Sequence, residues 1–176
     1  MNSVRETLKL IFISLLIVIP FRLFIAQPFI VEGASMSPTF ESGAYLIVDE
    51  LTYRFTEPER GEVLVFRYPA DPSKSYIKRL IGLPEETVSI KDGRVTIIST
   101  EHPEGLLLEE PYVKISGGDE LNFTLGDGEY FVMGDNRRHS ADSRLWGPVP
   151  EKLLIGRPII RILPPELFPG RATFNK

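Results

Sequence analysis

The stretch TVSIKDGRVTII, residues 87–98, carries the clearest structural signal in the sequence. Apolar and polar residues alternate on both sides of Asp92-Gly93, as around Val88 before the pair and Val95 after it. An Asp-Gly pair between two alternating runs favours a type I′ turn, which joins two antiparallel strands. The stretch therefore predicts a β-hairpin with one buried face.

Similar signals extend in both directions from this hairpin. Short apolar runs separated by turn residues occupy 44–48, 62–66, 75–81, 130–133 and 153–163. No amphipathic helix of ordinary length stands out after residue 32, and only a short helical turn near 150–153 is expected. The sequence predicts a mainly β domain of partial-barrel character over 32–176, with residues 100–118 as a variable excursion.

The N-terminal region has a different composition. Between residues 10 and 31 only five of 22 positions fall outside the apolar set. A helix of this length is about 33 Å long, close to the roughly 30 Å hydrocarbon core of a bilayer. We therefore predict a transmembrane anchor and exit segment over 10–31, after a short cytoplasmic N-terminus over 1–9. A cleaved secretory signal peptide is the alternative, although no small-residue cleavage site follows the stretch.

The charges that flank this stretch predict its orientation. Arg5 and Lys9 precede it, whereas no Lys or Arg occurs from residue 23 to residue 53. The positive-inside rule then places the N-terminus in the cytoplasm and residues 32–176 outside. Arg22, toward the exit end of the stretch, counts against this orientation. Because the chain starts almost at the span, with no room for a transit peptide, a bacterial cytoplasmic membrane is favoured over an organelle.

Composition excludes several classes of chemistry. The 176 residues carry 20 basic and 24 acidic side chains, for a net charge of −4, without a long basic run. Nucleic acid is therefore excluded as a partner. The chain has no cysteine and two histidines, so disulfides, thiol catalysis and iron–sulfur clusters are excluded, and no spacing of metal ligands occurs. The mean hydropathy of −0.01 averages a hydrophobic anchor and an acidic exterior domain.

Lys78 is a candidate general base. Strand alternation places it on one face with Tyr76 and Leu80, where loss of hydration would lower the pKa of its amine. A neutral amine can accept a proton from a nucleophile. The alternative is a lysine that protects a strand edge from aggregation.

Two polar segments supply possible partners for Lys78. Ser35 lies in GASMSPT, residues 33–39, a small-residue turn that could present a nucleophilic hydroxyl, or simply link the membrane to the domain. Residues 134–144, GDNRRHSADSR, could form a hydrogen-bonded network or a solvated loop. A rival arrangement pairs Ser35 with His139 and either Asp135 or Asp142 as a triad.

These motifs, in this order, resemble the type I (leader) signal peptidases, which are membrane-bound serine proteases with a Ser/Lys dyad. The resemblance covers the anchor and four motifs: SMSPT at 35–39, RGEVLVF at 60–66, YIKRLIGLP at 76–84 and GDNRRHSADSR at 134–144. It implies that Ser35 is the nucleophile and that Lys78, in its neutral form, is the general base.

The resemblance also implies supporting roles. Ser140 would hydrogen-bond the Lys78 amine, and Asp142 and Arg144 would form an ion-pair network that includes Arg79. Gly134 and Asn136 would shape the nearby loop.

The oxyanion hole is expected to use the Ser35 backbone N–H. Many members of the family add a serine hydroxyl two residues before the nucleophile, where this chain has Gly33. The second donor would then be a backbone group, with Gly33 as one candidate, or water. Glu85 is a second departure, at a position where many relatives carry glycine.

The implied function is removal of signal peptides from secretory preproteins that carry small residues one and three positions before the cut. The expected partners are these preproteins and the lipid bilayer, and no cofactor is expected. Two alternatives are a protease of the same type with a restricted substrate, such as a pilin, and an inactive membrane-anchored binding domain.

Overall fold

The N-terminal helix is followed directly by a strand. The structure is a computed structural model that describes residues 2–24, 26–113, 120–162 and 165–167. Helix α1 is Asn2–Phe24. Among the described residues, no helix meets the length and hydropathy required to cross a bilayer, and the predicted span is not confirmed.

The predicted anchor and exit segment, residues 10–31, is not one continuous helix. Residues Ala26–Ile30 form strand β1 instead of a continuation of the helix. The physical reason is Pro28, because the residue before a proline is disfavoured in the α conformation. β1 lies at the edge of its sheet, where a proline without an N–H is tolerated.

The remaining described chain is mainly antiparallel β-sheet, which confirms the predicted class. The further strands are β2 (Tyr45–Asp49), β3 (Val63–Tyr68), β4 (Asp71–Gly82), β5 (Thr87–Lys91), β6 (Arg94–Ile98), β7 (Leu106–Leu107), β8 (Leu121–Thr124), β9 (Glu129–Met133), β10 (Val149–Pro150), β11 (Leu154–Arg161) and β12 (Glu166–Leu167). The larger sheet has the order β1-β2-β11-β3-β4-β9-β10, with β12 beside β11, and the smaller one has the order β7-β6-β5-β8. The partial-barrel character stays a prediction.

The hairpin predicted over 87–98 is confirmed. β5 pairs with β6, with Val88 opposite Ile97. Asp92 and Gly93 have φ values of 51° and 76°. Positive φ at both central positions is what a type I′ turn requires.

Both faces of β3 are buried, so this strand lies between two hydrophobic cores. Val63 and Val65 pack in a cluster with Met36 and Phe40, whereas Leu64 and its neighbours on the other face pack in a second cluster. A strand buried on both faces reads as a continuous apolar run, as EVLVF does. β4 lies between β3 and β9 and carries the YIKRLIGLP motif.

The excursion predicted over 100–118 contains some regular structure. β7 pairs with β6, and the neighbouring Leu108 packs in the core of the smaller sheet. Residues 114–119 lie outside the described residues. The structure also contains a four-residue helix, α2 (Ser143–Trp146), which the Asp142 side chain caps. It was not predicted, because four residues are too few to show a helical period.

Candidate active site

The turn that carries Ser35 is held by its neighbours. It connects β1 to β2, and the side chains of Met36 and Phe40 are fully buried. The Phe40 N–H donates to the Met36 carbonyl at 2.9 Å. Gly33, with φ of +86°, provides the left-handed conformation at the start of the turn. Buried anchors on one side of Ser35 therefore hold it while its own side chain stays half-exposed.

Lys78 contacts Ser35 directly. Its Nζ donates to Ser35 Oγ at 2.7 Å and to the Ile77 carbonyl at 3.0 Å. The Nζ also lies 5.4 Å from the centre of the Tyr76 ring, on the strand face predicted from alternation. The chain thus brings together two side chains that are 43 residues apart in sequence.

The Lys78 amine is easier to deprotonate than a solvated lysine. The residue is 5% exposed, and burial lowers the pKa of its amine to about 8 against the opposing effect of the Asp142 and Asp135 carboxylates. None of the ion pairs found among the described residues includes Lys78. An appreciable neutral fraction is therefore available near neutral pH.

Arg79 has a different partner from the predicted one. The family resemblance implies a network with Asp142 and Arg144, but the Arg79 guanidinium binds both carboxylate oxygens of Asp135, at 2.8 and 2.6 Å. It also donates to the Gly61 carbonyl at 2.8 Å. The reason for the difference is the pleat of β4, because successive side chains point to opposite faces of a sheet. Arg79 therefore points away from Lys78.

Asp142 and Arg144 form the predicted ion pair. Arg144 donates through Nε and Nη2 to the two Asp142 oxygens, each at 2.8 Å. The Asp142 carboxylate is fully buried and also accepts from the Gly134 N–H at 3.0 Å. The pair thus holds the start of the 134–144 loop.

The loop and the Ser35 turn are bound to each other through their backbones. The Asn136 N–H donates to the Ser35 carbonyl at 3.0 Å, and Asn136 Nδ2 donates to the Ala34 carbonyl at 3.1 Å. Gly134 packs so closely that a Cβ there would lie 2.5 Å from the Ser35 carbonyl oxygen and 2.3 Å from Ser140 Oγ. Only glycine fits at position 134.

Ser140 does not make the predicted hydrogen bond to Lys78. Its Oγ is buried and has no hydrogen-bond partner among the described residues. The hydroxyl packs against Gly134 instead, and the bonds that the Lys78 amine makes go to Ser35 and Ile77. Sequence spacing placed Ser140 near the site, but the direction of its hydroxyl depends on the loop backbone.

The rival triad is not assembled. His139 Nδ1 lies 3.2 Å from Asn136 Oδ1, so its partner is an amide and not a carboxylate. The Asp135 and Asp142 carboxylates are bound by Arg79 and Arg144. The hydroxyl of Ser35 has the Lys78 amine as its partner.

The backbone N–H of Gly33, one candidate for the oxyanion hole, is already engaged. It donates to Ser42 Oγ at 3.2 Å. No pattern in the sequence connects these two residues, because Ser42 lies in the turn before β2 and belongs to no motif.

An open groove of about 640 Å³ leads to Ser35 and Lys78. One wall is formed by residues 29–35, and the other is formed by residues 74–78 of β4. His139 and Ala141 lie along the same groove. We refer to it as the Ser35 groove.

A hydroxyl that is hydrogen-bonded to a buried amine, in an open groove, has the geometry of a serine hydrolase that uses lysine in place of histidine. Comparisons with known proteins agree with this class. Residues 4–163 match the family described as "Signal peptidase, peptidase S26".

Two relatives identified by sequence give the same result. The Synechocystis protein named "Probable signal peptidase I-1" is 33% identical over 179 residues, which cover 98% of this chain and 89% of that protein. The signal peptidase I of Leptolyngbya laminosa is 36% identical over 175 residues, which cover 93% of this chain and 81% of that protein. A crystal structure of a signal peptidase I from Enterococcus faecalis is 31% identical, covers 58% of this chain and 97% of its own, and has a TM-score of 0.49. The chain belongs to the signal peptidase family, peptidase S26, and is a serine endopeptidase.

Proposed function

We propose that this peptidase removes N-terminal signal peptides from exported preproteins, with Ser35 as the nucleophile and neutral Lys78 as the general base. The observation that carries the proposal is the 2.7 Å contact between Lys78 Nζ and Ser35 Oγ, made by a lysine that is 5% exposed. Both atoms face the Ser35 groove, where an extended peptide can reach them.

The reaction follows from these two groups. Neutral Lys78 takes the proton of the Ser35 hydroxyl while Oγ attacks the scissile carbonyl carbon. The Ser35 backbone N–H donates to the oxyanion of the tetrahedral intermediate. The intermediate collapses as Lys78 returns the proton to the departing amine, which leaves an acyl-enzyme. Lys78 then deprotonates a water molecule, whose oxygen attacks the ester carbonyl carbon. As the ester bond breaks, Lys78 returns that proton to Ser35 Oγ and the signal peptide is released.

The two ion pairs have separate supporting roles in this proposal. Asp142 and Arg144 fix the Gly134 N–H at the start of the loop. Arg79 and Asp135 fix the opposite face of β4, together with the hydroxyl of Thr39, which donates to Asp135. The first pair therefore fixes the loop whose Asn136 N–H contacts the Ser35 turn, and the second joins that loop to β4, which carries Lys78.

The substrate is a peptide that adds to a free strand edge. β1 lies at one end of the larger sheet. β4 pairs with β9 at Arg79, Leu80 and Gly82, and its groove-lining residues 74–78 precede that pairing. A peptide between β1 and β4 would put alternate side chains into the groove, and small side chains one and three positions before the cut would fit against the Ser35 turn.

We also propose that α1 anchors the enzyme in a bacterial cytoplasmic membrane, with the N-terminus in the cytoplasm and the β domain outside. The apolar stretch that begins at residue 10 and the basic residues before it support this topology. Protease treatment of sealed spheroplasts should degrade the β domain without prior lysis. Protection of the β domain in intact spheroplasts would contradict the topology.

Cleavage of a secretory preprotein tests the catalytic proposal. Detergent-solubilised enzyme is incubated with a preprotein whose cleavage site is known, and the product is identified by N-terminal sequencing. We expect one new N-terminus after a small residue, and no product from Ser35→Ala. Ser99→Ala, outside the groove, is the matched control and should cleave like the wild type. Turnover by Ser35→Ala would show that the nucleophile lies elsewhere.

A panel of preproteins separates the remaining alternatives. Cleavage of most members supports a general enzyme, whereas cleavage of a single class, such as pilins, supports a dedicated one. Cleavage of none would favour a binding domain.

A further inference from the structure

The excursion contacts the 134–144 loop through a buried ion pair. Arg137 Nη2 donates to Glu110 Oε1, and both side chains are 7% exposed. A solvent-exposed ion pair contributes little, but removing one partner of a buried pair leaves an uncompensated charge in a medium of low dielectric constant. The pair therefore holds its two segments together more firmly than a surface contact would.

A second contact reinforces the first. The Arg79 guanidinium lies 4.2 Å from the centre of the Tyr112 ring, and the Tyr112 hydroxyl donates to Glu110 Oε1 at 3.0 Å. Burial, assisted by the Glu110 carboxylate, raises the pKa of the Tyr112 phenol above its ordinary value. The phenol thus remains a hydrogen-bond donor to Glu110 at any working pH.

Glu110 is attached to a rigid support. Two residues before it, Leu108 packs in the core of the smaller sheet, and its N–H donates to the Val95 carbonyl at 2.9 Å. Glu110 therefore projects from the smaller sheet toward the loop.

Arg137 transmits this position to the nucleophile turn. Its Nε donates to the Gly134 carbonyl at 3.1 Å. The neighbouring Asn136 N–H donates to the Ser35 carbonyl. The carbonyl of Gly134 is thus fixed from the Glu110 side, while its N–H is fixed by Asp142.

We propose that Glu110 is a positioning residue for catalysis, which holds the Ser35 turn at its distance from Lys78 through Arg137 and Gly134. The inference rests on the proposed function of Ser35 and Lys78. Through Glu110, the smaller sheet and the excursion, which carry neither Ser35 nor Lys78, become part of the catalytic apparatus.

The test compares Glu110→Gln with Glu109→Gln in the full-length, detergent-solubilised enzyme. Glu109 is the adjacent, exposed carboxylate and provides a control for charge and sequence position. We expect Glu110→Gln to lower kcat by about 10- to 100-fold, because small misplacements of reacting groups have effects of that size. KM should stay within about twofold, because Glu110 does not line the groove and every side chain that does is retained. Glu109→Gln should match the wild type in both constants.

Two further measurements separate positioning from a loss of folding. Hydrogen exchange in a peptide that spans residues 134–140 should become faster in Glu110→Gln and not in Glu109→Gln, because the loop that carries the Asn136 N–H is no longer held to Glu110 through Arg137. Glu110→Asp, which keeps the charge on a shorter side chain, should recover part of kcat. If Glu110→Gln fails to fold, Glu110→Asp and Tyr112→Phe decide the question, since each weakens the contact without removing the carboxylate.

The proposal is overturned if Glu110→Gln folds with a wild-type kcat and unchanged exchange, or if Glu110→Gln fails to fold while Glu110→Asp and Tyr112→Phe both keep the wild-type kcat. A fall in kcat with unchanged loop exchange also overturns it. Failure of the wild-type enzyme to cleave any preprotein would instead contradict the proposed function, and loop exchange would still decide whether Glu110 fixes the loop.

Discussion

Lys78 and Arg79, which are adjacent on β4, lie on opposite faces of the strand and have different kinds of partner. Lys78 and Arg79 are 5% and 4% exposed, so both cationic side chains have lost most of their water. On one face, the Arg79 guanidinium binds both oxygens of Asp135 and keeps its charge. On the other face, the Lys78 amine contacts a hydroxyl and a carbonyl, and burial lowers its pKa to about 8.

This difference shows how one strand can supply both structure and chemistry. An arginine does not deprotonate in proteins, so a buried one needs a carboxylate and is suited to a fixed support. A lysine can meet the cost of burial by losing its proton, and the neutral amine is then a base. The pleat keeps the two environments apart although the residues are consecutive.

Exchanging Lys78 should have the largest effect. We call the face of β4 that carries Lys78 the catalytic face and the face that carries Arg79 the supporting face. Lys78→Arg keeps a positive charge and a hydrogen-bond donor but cannot accept the Ser35 proton. We expect kcat to fall by about 10³-fold or more, because general-base catalysis and activation of the nucleophile are lost together. Initial rates of preprotein cleavage at pH 8 provide the measurement.

Lys91→Arg, at the exposed end of the hairpin, is the matched control and should retain the wild-type rate. Appreciable cleavage by Lys78→Arg would mean that some other group removes the Ser35 proton. It would contradict the role of Lys78 as the general base.

Neutralising the carboxylate on the supporting face should mainly affect stability. Asp135→Asn leaves the Arg79 charge buried beside the Gly61 carbonyl and the Thr39 hydroxyl. Breaking such a pair costs about 3 kcal/mol, which corresponds to a fall in Tm of about 6 to 12 °C for a chain of this size. Thermal unfolding of the full chain in detergent measures it, with the exposed Asp127→Asn as control. Equal Tm values for the two variants would show that Asp135 does not stabilise the buried charge.

Much of the catalytic face could be predicted from sequence. The period of two in residues 75–81 was enough to place Lys78 beside Tyr76 and away from water. The Asp-Gly pair at 92–93 was likewise enough to predict the register of its hairpin. Strand alternation and turn residues are both local signals, so neither depends on distant parts of the chain.

The supporting face could not be predicted in the same way, because its partners are set by tertiary structure. Arg79 and Asp135 are 56 residues apart, and residues 134–144 hold a second carboxylate, Asp142, with an equally good claim to Arg79. Glu110 lies in an excursion without periodicity, so its contact with Arg137 had no signal in the sequence. The direction of the Ser140 hydroxyl depends on loop dihedral angles, which composition does not specify.

The smallest expected effect is a shift in the pH profile, and it measures how strongly a neighbouring carboxylate opposes the loss of the Lys78 proton. If neutral Lys78 is the base, kcat/KM should rise about tenfold per pH unit below about 8 and level off above it. The Asp142 carboxylate raises the pKa of Lys78 by favouring its charged form. Asp142→Asn removes that charge and retains an oxygen for the Gly134 N–H, so the midpoint should move to lower pH. Asp127→Asn should leave the midpoint where it is.

A flat wild-type profile would contradict the neutral amine, whereas a midpoint in Asp142→Asn that stays or moves upward would show that Asp142 acts only as a support for the loop.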